Sequence, residues 1–545
     1  MEIPETARGR QAALADFIDR LVVDLEPLHR QYNEAIWLAS VTGESRYEQE
    51  GARLDAKIRL MFARPEPCAQ LMAWRDAGGV PDPLLQRQLG LLFNDFRAHQ
   101  IPPAMIERMV KLEKSLESRF NNFRAELAGE RVTDNHIRQI LRDSDDEGER
   151  RRAWEASKQV GAEVVADLRT LVKLRNEAAT SLGFRNYYSM MLELDELDEA
   201  ELFTLLDDLD TGTRPLFEAY KRGLDERLAA RFGVAREALR PWHYADPFFQ
   251  EAPAAEVDLD RYFREQPLEA LTERFFAAIG FDVRDLLARA DLYEKPGKSQ
   301  HAFCLSMDRG ADIRVLCNVQ PSEYWMATLL HEYGHAVYDQ QIDRTLPYLL
   351  RVPAHILTTE ASAMLFGRLS KDAAWLTAYA GVPEQEARAG EEALRRAGRA
   401  QLLVQMRWEL VMCHMERALY RDPDQDLDAL WWDLVEQHQW VRRPDGRRAP
   451  DWASKVHFSV APVYYHNYML GEMMASQLHR HLLKEVLGDG ADGGRRFVSS
   501  PEVGAYLSGR LYRSGKTLDW RNTLRQATGQ GLSVAAFVED LAGCA

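Results

Sequence analysis

The pentapeptide His331-Glu332-Tyr333-Gly334-His335 sets the strongest condition on how this chain folds. Residues four positions apart stand on one face of a helix, so both imidazoles can reach one metal ion only if this segment is helical. Glu332 then lies beside the ion, where a carboxylate can act as a general base. The spacing is typical of zinc metallopeptidases, although so short a pattern also occurs by chance.

The residues around the pentapeptide favour a helix. Pro321 and Ser322 can begin one, and the segment from Glu323 to Gln341 contains no proline and a single glycine. Its apolar residues recur at helical spacing: Met326, Leu329, Leu330, Tyr333, Ala336 and Val337. Upstream, the apolar and β-branched segment 313–319 predicts a strand that leads into this helix. We therefore expect a small β element beside the metal-binding helix.

A catalytic zinc ion needs a third protein ligand and keeps a fourth position for water. The metzincin pattern would place a histidine six residues after His335, and Gln341 stands there instead. The remaining downstream candidates are Asp339, Asp343, His355 and Glu360. We favour Glu360, because the segment 359–366 predicts a second helix with one carboxylate on a small and apolar surface, where a charge needs a partner. Asp339 is the alternative, as a solvated carboxylate or one that supports a ligand.

Composition excludes several classes of partner. Lys and Arg number 69 and Asp and Glu 85, which gives a formal net charge of -16 and no basic footprint for nucleic acid or anionic lipid. Residues 1–6 lack the basic and apolar regions of a signal peptide, and no segment is apolar enough to cross a membrane. The five cysteines have no CxxC spacing: Cys68, Cys304, Cys317, Cys413 and Cys544. We expect reduced thiols and a cytoplasmic protein without nucleic-acid or membrane partners.

Long helical patterns dominate the rest of the chain. They are readable around 11–33, 148–180, 198–230, 384–420 and 464–485, and an apolar stripe runs from Met105 to Leu127. We find no linker, low-complexity tract or fixed-period repeat that would separate domains. The sequence therefore predicts a mainly α-helical protein with one domain over residues 1–545.

A second segment with side chains that could take part in catalysis runs from Lys455 to Tyr468. It contains histidines and several tyrosines. Tyrosine hydroxyls and imidazoles can stabilise the oxyanion that forms when water attacks a peptide bond. Tyr465 and Tyr468 are three positions apart after Pro462, which can open a helix, so their hydroxyls could point into one cleft. The alternative is that these aromatic residues belong to the core.

With these motifs the chain resembles the angiotensin-converting enzyme family of zinc peptidyl dipeptidases and, more distantly, thimet oligopeptidase and oligoendopeptidase F. The matching elements are 331–335, Glu360, 301–302, 431–434, 455–457, 153–155 and 174–178. The resemblance covers most of the chain and is densest from about residue 300 to 480. It implies a two-lobed helical metallopeptidase with a deep central cleft, a scaffold of about 1–240 and a zinc-binding and substrate-binding part of about 241–545.

The resemblance also implies roles for individual residues. The ligands that it gives to one zinc ion are His331, His335 and Glu360, and Glu332 becomes the general base that takes a proton from the attacking water. Tyr468 falls on the oxyanion-stabilising tyrosine and His457 on its supporting histidine. The substrate-binding residues that it implies are His301 and Ala302 for the peptide backbone, and Lys455, Tyr465 and Gln250 for a free C-terminal carboxylate.

Two positions depart from the family pattern. Met364 stands where the family has an aspartate that supports the zinc site, so another group must take that part. Asn467 stands where the vertebrate enzymes have a chloride-binding arginine, and chloride activation there is not expected. The expected activity is release of C-terminal dipeptides from short peptides that have a free C-terminus. The alternatives are a thimet-type oligoendopeptidase, a metallocarboxypeptidase, and a peptide-binding protein on a retired peptidase scaffold.

Overall fold

Helices account for most of the chain. The computed structural model describes residues 6–253, 258–488, 490 and 493–543, so Cys544 and the first five residues lie outside the described residues. The strands in this part of the chain form two small antiparallel hairpins: β1 (Ala125–Leu127) with β2 (Glu130–Val132), and β3 (Phe303–Ser306) with β4 (Ile313–Leu316). The prediction of a mainly α-helical fold is confirmed.

The α-helices are α1 (Ala7–Thr42), α2 (Ser45–Phe62), α3 (Pro65–Ala77), α4 (Pro83–Ala98), α5 (Pro103–Asn122), α6 (Asp134–Asp143), α7 (Glu147–Ser157), α8 (Gln159–Ser181), α9 (Tyr187–Leu194), α10 (Glu199–Phe232), α11 (Leu268–Ala278), α12 (Arg284–Arg289), α13 (Glu323–Gln341), α14 (Ile356–Gly367), α15 (Ala373–Ala378), α16 (Glu384–Arg421), α17 (Leu427–His438), α18 (His457–Val460), α19 (His466–His481), α20 (Gly493–Ser499), α21 (Pro501–Leu507), α22 (Trp520–Thr528) and α23 (Ala535–Ala542). Within the described residues, none of the helices has the length and apolar character needed to cross a membrane. The described cysteines, Cys68, Cys304, Cys317 and Cys413, are free thiols.

The chain folds into two compact units, each built from three segments. Unit 1 comprises Met1–Ile106, Asp258–Leu394 and Leu470–Ala536. Unit 2 comprises Glu107–Val257, Arg395–Met469 and Phe537–Ala545. The segments of the two units interleave along the chain. The expectation of one peptidase domain with a division near residue 240 stays a prediction.

In unit 1, helices α1, α3 and α4 enclose an apolar core. Its buried members include Leu14, Ile18, Leu71, Trp74, Leu92 and Phe96. Helix α4 begins where Asp82 caps it, because the Asp82 carboxylate accepts the backbone N–H groups of Leu84 and Leu85, and Pro83 needs no such acceptor. Burial of each of these aliphatic and aromatic side chains stabilises the folded state by about 1.5–3 kcal/mol.

Helix α13, which carries the pentapeptide, spans the predicted range from Glu323 to Gln341. Ser322 caps its first turn by accepting the N–H of Trp325. The helix packs against α14, α11 and the β3–β4 hairpin. Strand β4 ends at Leu316, three residues earlier than predicted, because the N–H of Cys317 donates to the carbonyl of Asp291 instead of continuing the hairpin.

In unit 2, three expectations from the sequence are wrong in their boundaries. Helix α5 ends at Asn122, and Leu127, the last member of the apolar stripe, lies in strand β1. The helical segment predicted over 148–180 is two helices, α7 and α8, which meet at Lys158. Helix α19 begins at His466, so Tyr465 precedes the helix rather than sharing a face of it with Tyr468. After α5 and before α19, a side chain distant in the sequence binds the backbone: Gln159 accepts the N–H of Glu126, and Glu416 accepts the N–H of Val463.

Candidate metal centre and substrate-binding residues

The two histidines of the pentapeptide and Glu360 come together in unit 1. One turn of α13 places the Nε2 atoms of His331 and His335 3.3 Å apart. The Oε2 atom of Glu360, on α14, is 3.7 Å from the His331 Nε2 and 3.8 Å from the His335 Nε2. Each of these three side chains offers one ligand atom, and the three atoms lie within 4.8 Å of one another. Two imidazoles and one carboxylate are a donor set that suits zinc.

The two helices approach closely because the fourth residue of the pentapeptide is glycine. A Cβ atom on Gly334 would lie 2.6 Å from the Cα of Ala363 and 3.0 Å from the carbonyl oxygen of Ser362. The Ser362 hydroxyl donates to the Gly334 carbonyl at 2.9 Å, which fixes the register of α13 on α14. A side chain at this position would push apart the helices that carry the histidines and Glu360.

A second glycine covers the other side of Glu360. A Cβ on Gly471, in α19, would lie 2.9 Å from the Cβ of Glu360 and 3.2 Å from the Sδ of Met364. Glu472 forms an ion pair with Arg368, the residue that directly follows α14. Met364, which stands where the resemblance implies an aspartate, therefore packs against the backbone of α19 at this point.

Thr359, the residue before Glu360, contacts a histidine of the candidate metal centre. Its Oγ1 lies 2.7 Å from the Nδ1 of His335. If Nδ1 carries the proton and donates it to this hydroxyl, the Nε2 lone pair of His335 is free for a cation. Thr359 is not among the site residues predicted from the sequence, although its position directly before the candidate ligand was a usable signal.

Burial controls the charge of these groups. It lowers the pKa of His331 to about 4 and that of His335 well below its usual value, so both imidazoles are neutral near pH 7 and can act as ligands. Burial, and to a lesser extent the Glu360 carboxylate, raises the pKa of Glu332 to about 8, while a hydrogen bond from the Cys304 N–H opposes that rise. A bound cation would favour the ionised form of both carboxylates.

The other candidate ligands from the sequence have different surroundings. Asp343 is partly exposed and accepts the backbone N–H of Thr345 at 2.8 Å. His355 caps α14, since its Nδ1 accepts the N–H of Leu357 at 3.0 Å. Asp339 does not belong to the group of His331, His335 and Glu360, and burial raises its pKa to about 7. Glu360 is the candidate that the geometry favours as the third ligand.

His301 and Ala302 lie directly before strand β3, also in unit 1. The His301 side chain is exposed and Ala302 is partly buried. Two residues later, the N–H of Cys304 donates to the Glu332 carboxylate, so this strand lies beside Glu332. A peptide that pairs with residues 301–302 would therefore run beside Glu332.

Unit 2 brings together the residues expected to bind a C-terminal carboxylate. The Nζ of Lys455 donates to the Oε1 of Gln250 at 2.8 Å. The same ammonium group lies 5.2 Å from the ring centre of Phe248, 5.1 Å from that of Trp408 and 6.0 Å from that of Tyr465. Burial, followed by the charge of Arg138, lowers the pKa of Lys455 to about 8. A desolvated cation of this kind attracts a carboxylate more strongly than one in water.

Gln250 is held by the loop that carries it. The Asp246 carboxylate accepts the N–H groups of Phe248, Gln250 and Glu251, at 2.9–3.2 Å. The Gln439 amide donates to the carbonyls of Phe248 and Phe249 at 3.0 and 2.7 Å. The Gln250 amide thus reaches Lys455 from a backbone that is fixed on both sides.

The aromatic residues of the second segment also cluster. The His457 and Tyr465 ring centres are 4.8 Å apart, and those of Tyr465 and Tyr468 are 5.6 Å apart. Tyr465 is buried, whereas His457 and Tyr468 are partly exposed. Within unit 2 the structure therefore joins His457, Tyr465 and Tyr468 into one group beside Lys455.

Two family models match the chain. The model of Peptidase family M3 matches residues 140–543, and the model of Angiotensin-converting enzyme matches residues 9–239. These matches confirm the resemblance inferred from the motifs. No curated protein matches the chain significantly. Both families are zinc metallopeptidases, in agreement with the donor set of His331, His335 and Glu360.

Proposed function

Since the chain belongs to Peptidase family M3, we propose that this zinc metallopeptidase removes dipeptides from the C-terminus of short peptides. The observation that carries the proposal is the hydrogen bond between Lys455 and Gln250 within an aromatic surround. Cutting an internal bond needs no group for a free carboxylate. A cation and an amide donor that hold the terminal carboxylate fix which peptide bond is cleaved.

We assign the metal site to His331, His335 and Glu360 and expect one ion. Zinc, when bound, would polarise the scissile carbonyl and lower the pKa of water to about 7. Glu332 takes a proton from the attacking water and passes it to the leaving amine. The N–H of Cys304 favours the carboxylate form that Glu332 needs for the first of these transfers.

Further roles rest on the family resemblance and on contacts within each unit. We assign oxyanion stabilisation to Tyr468, with His457 supporting it. Lys455, Tyr465 and Gln250 bind the terminal carboxylate. His301 and Ala302 hold the peptide backbone. In this assignment the carboxylate meets the Lys455 ammonium, and the Gln250 side chain rotates so that its NH2 group donates as well.

An oligoendopeptidase of the thimet type is the second candidate, and the long match to Peptidase family M3 favours it. An endopeptidase cleaves peptides whose C-terminus is amidated, whereas an enzyme that needs the carboxylate does not. A metallocarboxypeptidase would release single residues, so product mass separates it from a peptidyl dipeptidase.

The test is mass spectrometry of the products from matched free-acid and C-terminally amidated peptides. Zinc-loaded protein is compared with the Glu332→Gln variant, and the zinc content of both is measured. Release of dipeptides from free-acid peptides alone, lost in the variant at equal zinc content, supports the proposal. Internal cleavage of amidated peptides at similar rates would overturn it in favour of an oligoendopeptidase.

A further inference from the structure

Residues 458–463, here called the connecting segment, join Lys455 and His457 to Tyr465 and Tyr468 in unit 2. The segment starts within the short helix α18 and ends before α19. The positions of its two ends determine where the proposed carboxylate-binding and oxyanion-stabilising side chains lie. Any group that fixes the backbone of this segment therefore influences both sets.

Val463 has a backbone conformation that its side chain disfavours. Its φ is 57°, in the left-handed region, where a β-branched residue is strained. Pro462, directly before it, has no N–H and restricts the backbone further. Such a conformation persists only when the surroundings enforce it.

Glu416 on α16 binds the backbone of Val463. Glu416 is 3% exposed, and its Oε1 accepts the N–H of Val463 at 2.7 Å. Burial raises the pKa of this carboxyl to about 8, while the Val463 N–H and the charge of Arg175 favour its ionised form. Both the ionised and the neutral carboxyl offer an oxygen to the N–H.

Arg175 on α8 fixes the other end of the connecting segment. It is 2% exposed and donates to the carbonyls of Phe458 at 3.1 Å and Ser459 at 2.7 Å. Its remaining hydrogen bonds go to Glu113 and the Tyr420 hydroxyl. A guanidinium presents its donors in a rigid fork, so two carbonyls bound to it keep a fixed spacing.

We propose that Glu416 and Arg175 are positioning residues that hold the connecting segment so that Lys455 and Tyr465 meet the terminal carboxylate of the substrate. This inference rests on the proposed function. Ionisable residues in a core are costly, and well-packed apolar residues often stabilise a fold equally well. Here the two side chains direct their hydrogen bonds to three backbone groups of one six-residue segment, which is a task for polar groups alone.

The kinetic test compares three variants at Glu416 and Val463. Glu416→Gln keeps an acceptor oxygen and should leave KM for free-acid peptides within about twofold of the wild type. Glu416→Ala should raise that KM by about tenfold while kcat changes less, because substrate binding is affected more than chemistry. Adding Val463→Gly to Glu416→Ala should restore most of the loss, since glycine adopts a positive φ without an anchor.

A readout independent of activity is hydrogen exchange measured by mass spectrometry over residues 456–468. The Val463 amide should exchange at least about tenfold faster in Glu416→Ala than in the wild type or in Glu416→Gln. Leu419→Ala, on the same helix α16, is the control, because it removes a buried side chain without touching this hydrogen bond. It should change neither the local exchange nor KM.

The outcomes separate the two levels of inference. If wild-type protein releases no dipeptides, the proposed function fails, whereas the exchange data still test whether Glu416 anchors the segment. Unchanged exchange at Val463 in Glu416→Ala overturns the positioning role. So does a rise in KM that Leu419→Ala reproduces or that Val463→Gly does not reverse, because general destabilisation would then explain it.

Discussion

Thr359 joins the two helices of the metal centre through His335: its hydroxyl lies 2.7 Å from the His335 Nδ1, and the next residue in the chain is Glu360. One short stretch of α14 thus supplies the proposed third ligand and also orients a ligand of α13. Met364 offers no carboxylate for such a task. In this chain, Thr359 is the residue that we expect to replace part of the missing aspartate's contribution.

Replacing Thr359 by Val should weaken zinc binding by about tenfold or more, because the His335 ring loses the partner of its second nitrogen. Thr359→Ser keeps the hydroxyl and serves as the matched control. Competition with a chromophoric chelator measures the dissociation constant for zinc in each variant. Equal zinc affinities for the Val and Ser variants would show that the hydroxyl does not orient His335.

The Gly334→Ala substitution should destabilise unit 1 and the metal centre together. The new Cβ would meet the Ala363 backbone at 2.6 Å, and the resulting overpacking costs about 1–3 kcal/mol. The gain in helix propensity offsets about 1 kcal/mol of this cost. Thermal unfolding of the metal-free protein and zinc titration should therefore show a lower Tm and a weaker site.

Gly398→Ala is the control for that prediction. Gly398 lies within α16, and a Cβ there would meet nothing within 4 Å. This variant should unfold at the same temperature as the wild type or slightly above it, since the propensity gain is then unopposed. If Gly334→Ala matched Gly398→Ala in unfolding temperature and in affinity for zinc, the role given to the contact between α13 and α14 would be contradicted.

The grouping of the candidate metal ligands was predictable because the relevant geometry is local. His331 and His335 are one helical turn apart, and the segment around them has a clear helical pattern from Glu323 to Gln341. Glu360 was predictable for a different reason: a carboxylate on an otherwise apolar helix needs a partner, and a metal supplies one.

Features that depend on contacts distant in the sequence could not be predicted in the same way. The strand that contains Leu127 is held by Gln159, whose side-chain amide accepts the N–H of Glu126 and donates to the Glu126 carbonyl, 33 residues earlier in the chain, whereas periodicity alone fits a helix. Tyr465 lies before α19 because the Val463 N–H is bound by Glu416, nearly fifty residues earlier in the chain. The close approach of Gly471 to Glu360 likewise has no local signature.

Changing Gln250 to Glu should interfere with substrates that have a free C-terminus. The new carboxylate would lie at hydrogen-bond distance from the Lys455 ammonium and would imitate the substrate's own carboxylate. We expect KM for free-acid peptides to rise by about tenfold, equivalent to about 1.4 kcal/mol. Gln250→Ala, which adds no charge, should raise it less. Similar KM values for the two variants would argue against binding of the substrate's carboxylate beside Lys455 and Gln250.

The pH dependence of cleavage should report the charge of Lys455. Burial lowers the pKa of this lysine from its usual value to about 8, so it is protonated below pH 8 and loses its charge as the pH rises through that value. The value of kcat/KM for free-acid peptides reflects groups of the free enzyme and should fall above about pH 8. An unperturbed lysine would keep its charge to about pH 10.

Lys455→Arg isolates this effect, because a guanidinium stays charged throughout the range. Other titrating groups, including Glu332 and the peptide's own amino group, act equally in both enzymes, so they cancel in the ratio of the two kcat/KM values. This ratio of wild type to variant should be constant below about pH 7 and should fall above about pH 8. A constant ratio from pH 6 to about pH 10 would mean that the charge of Lys455 does not bind the substrate, and the specificity for a free C-terminus would then need another origin.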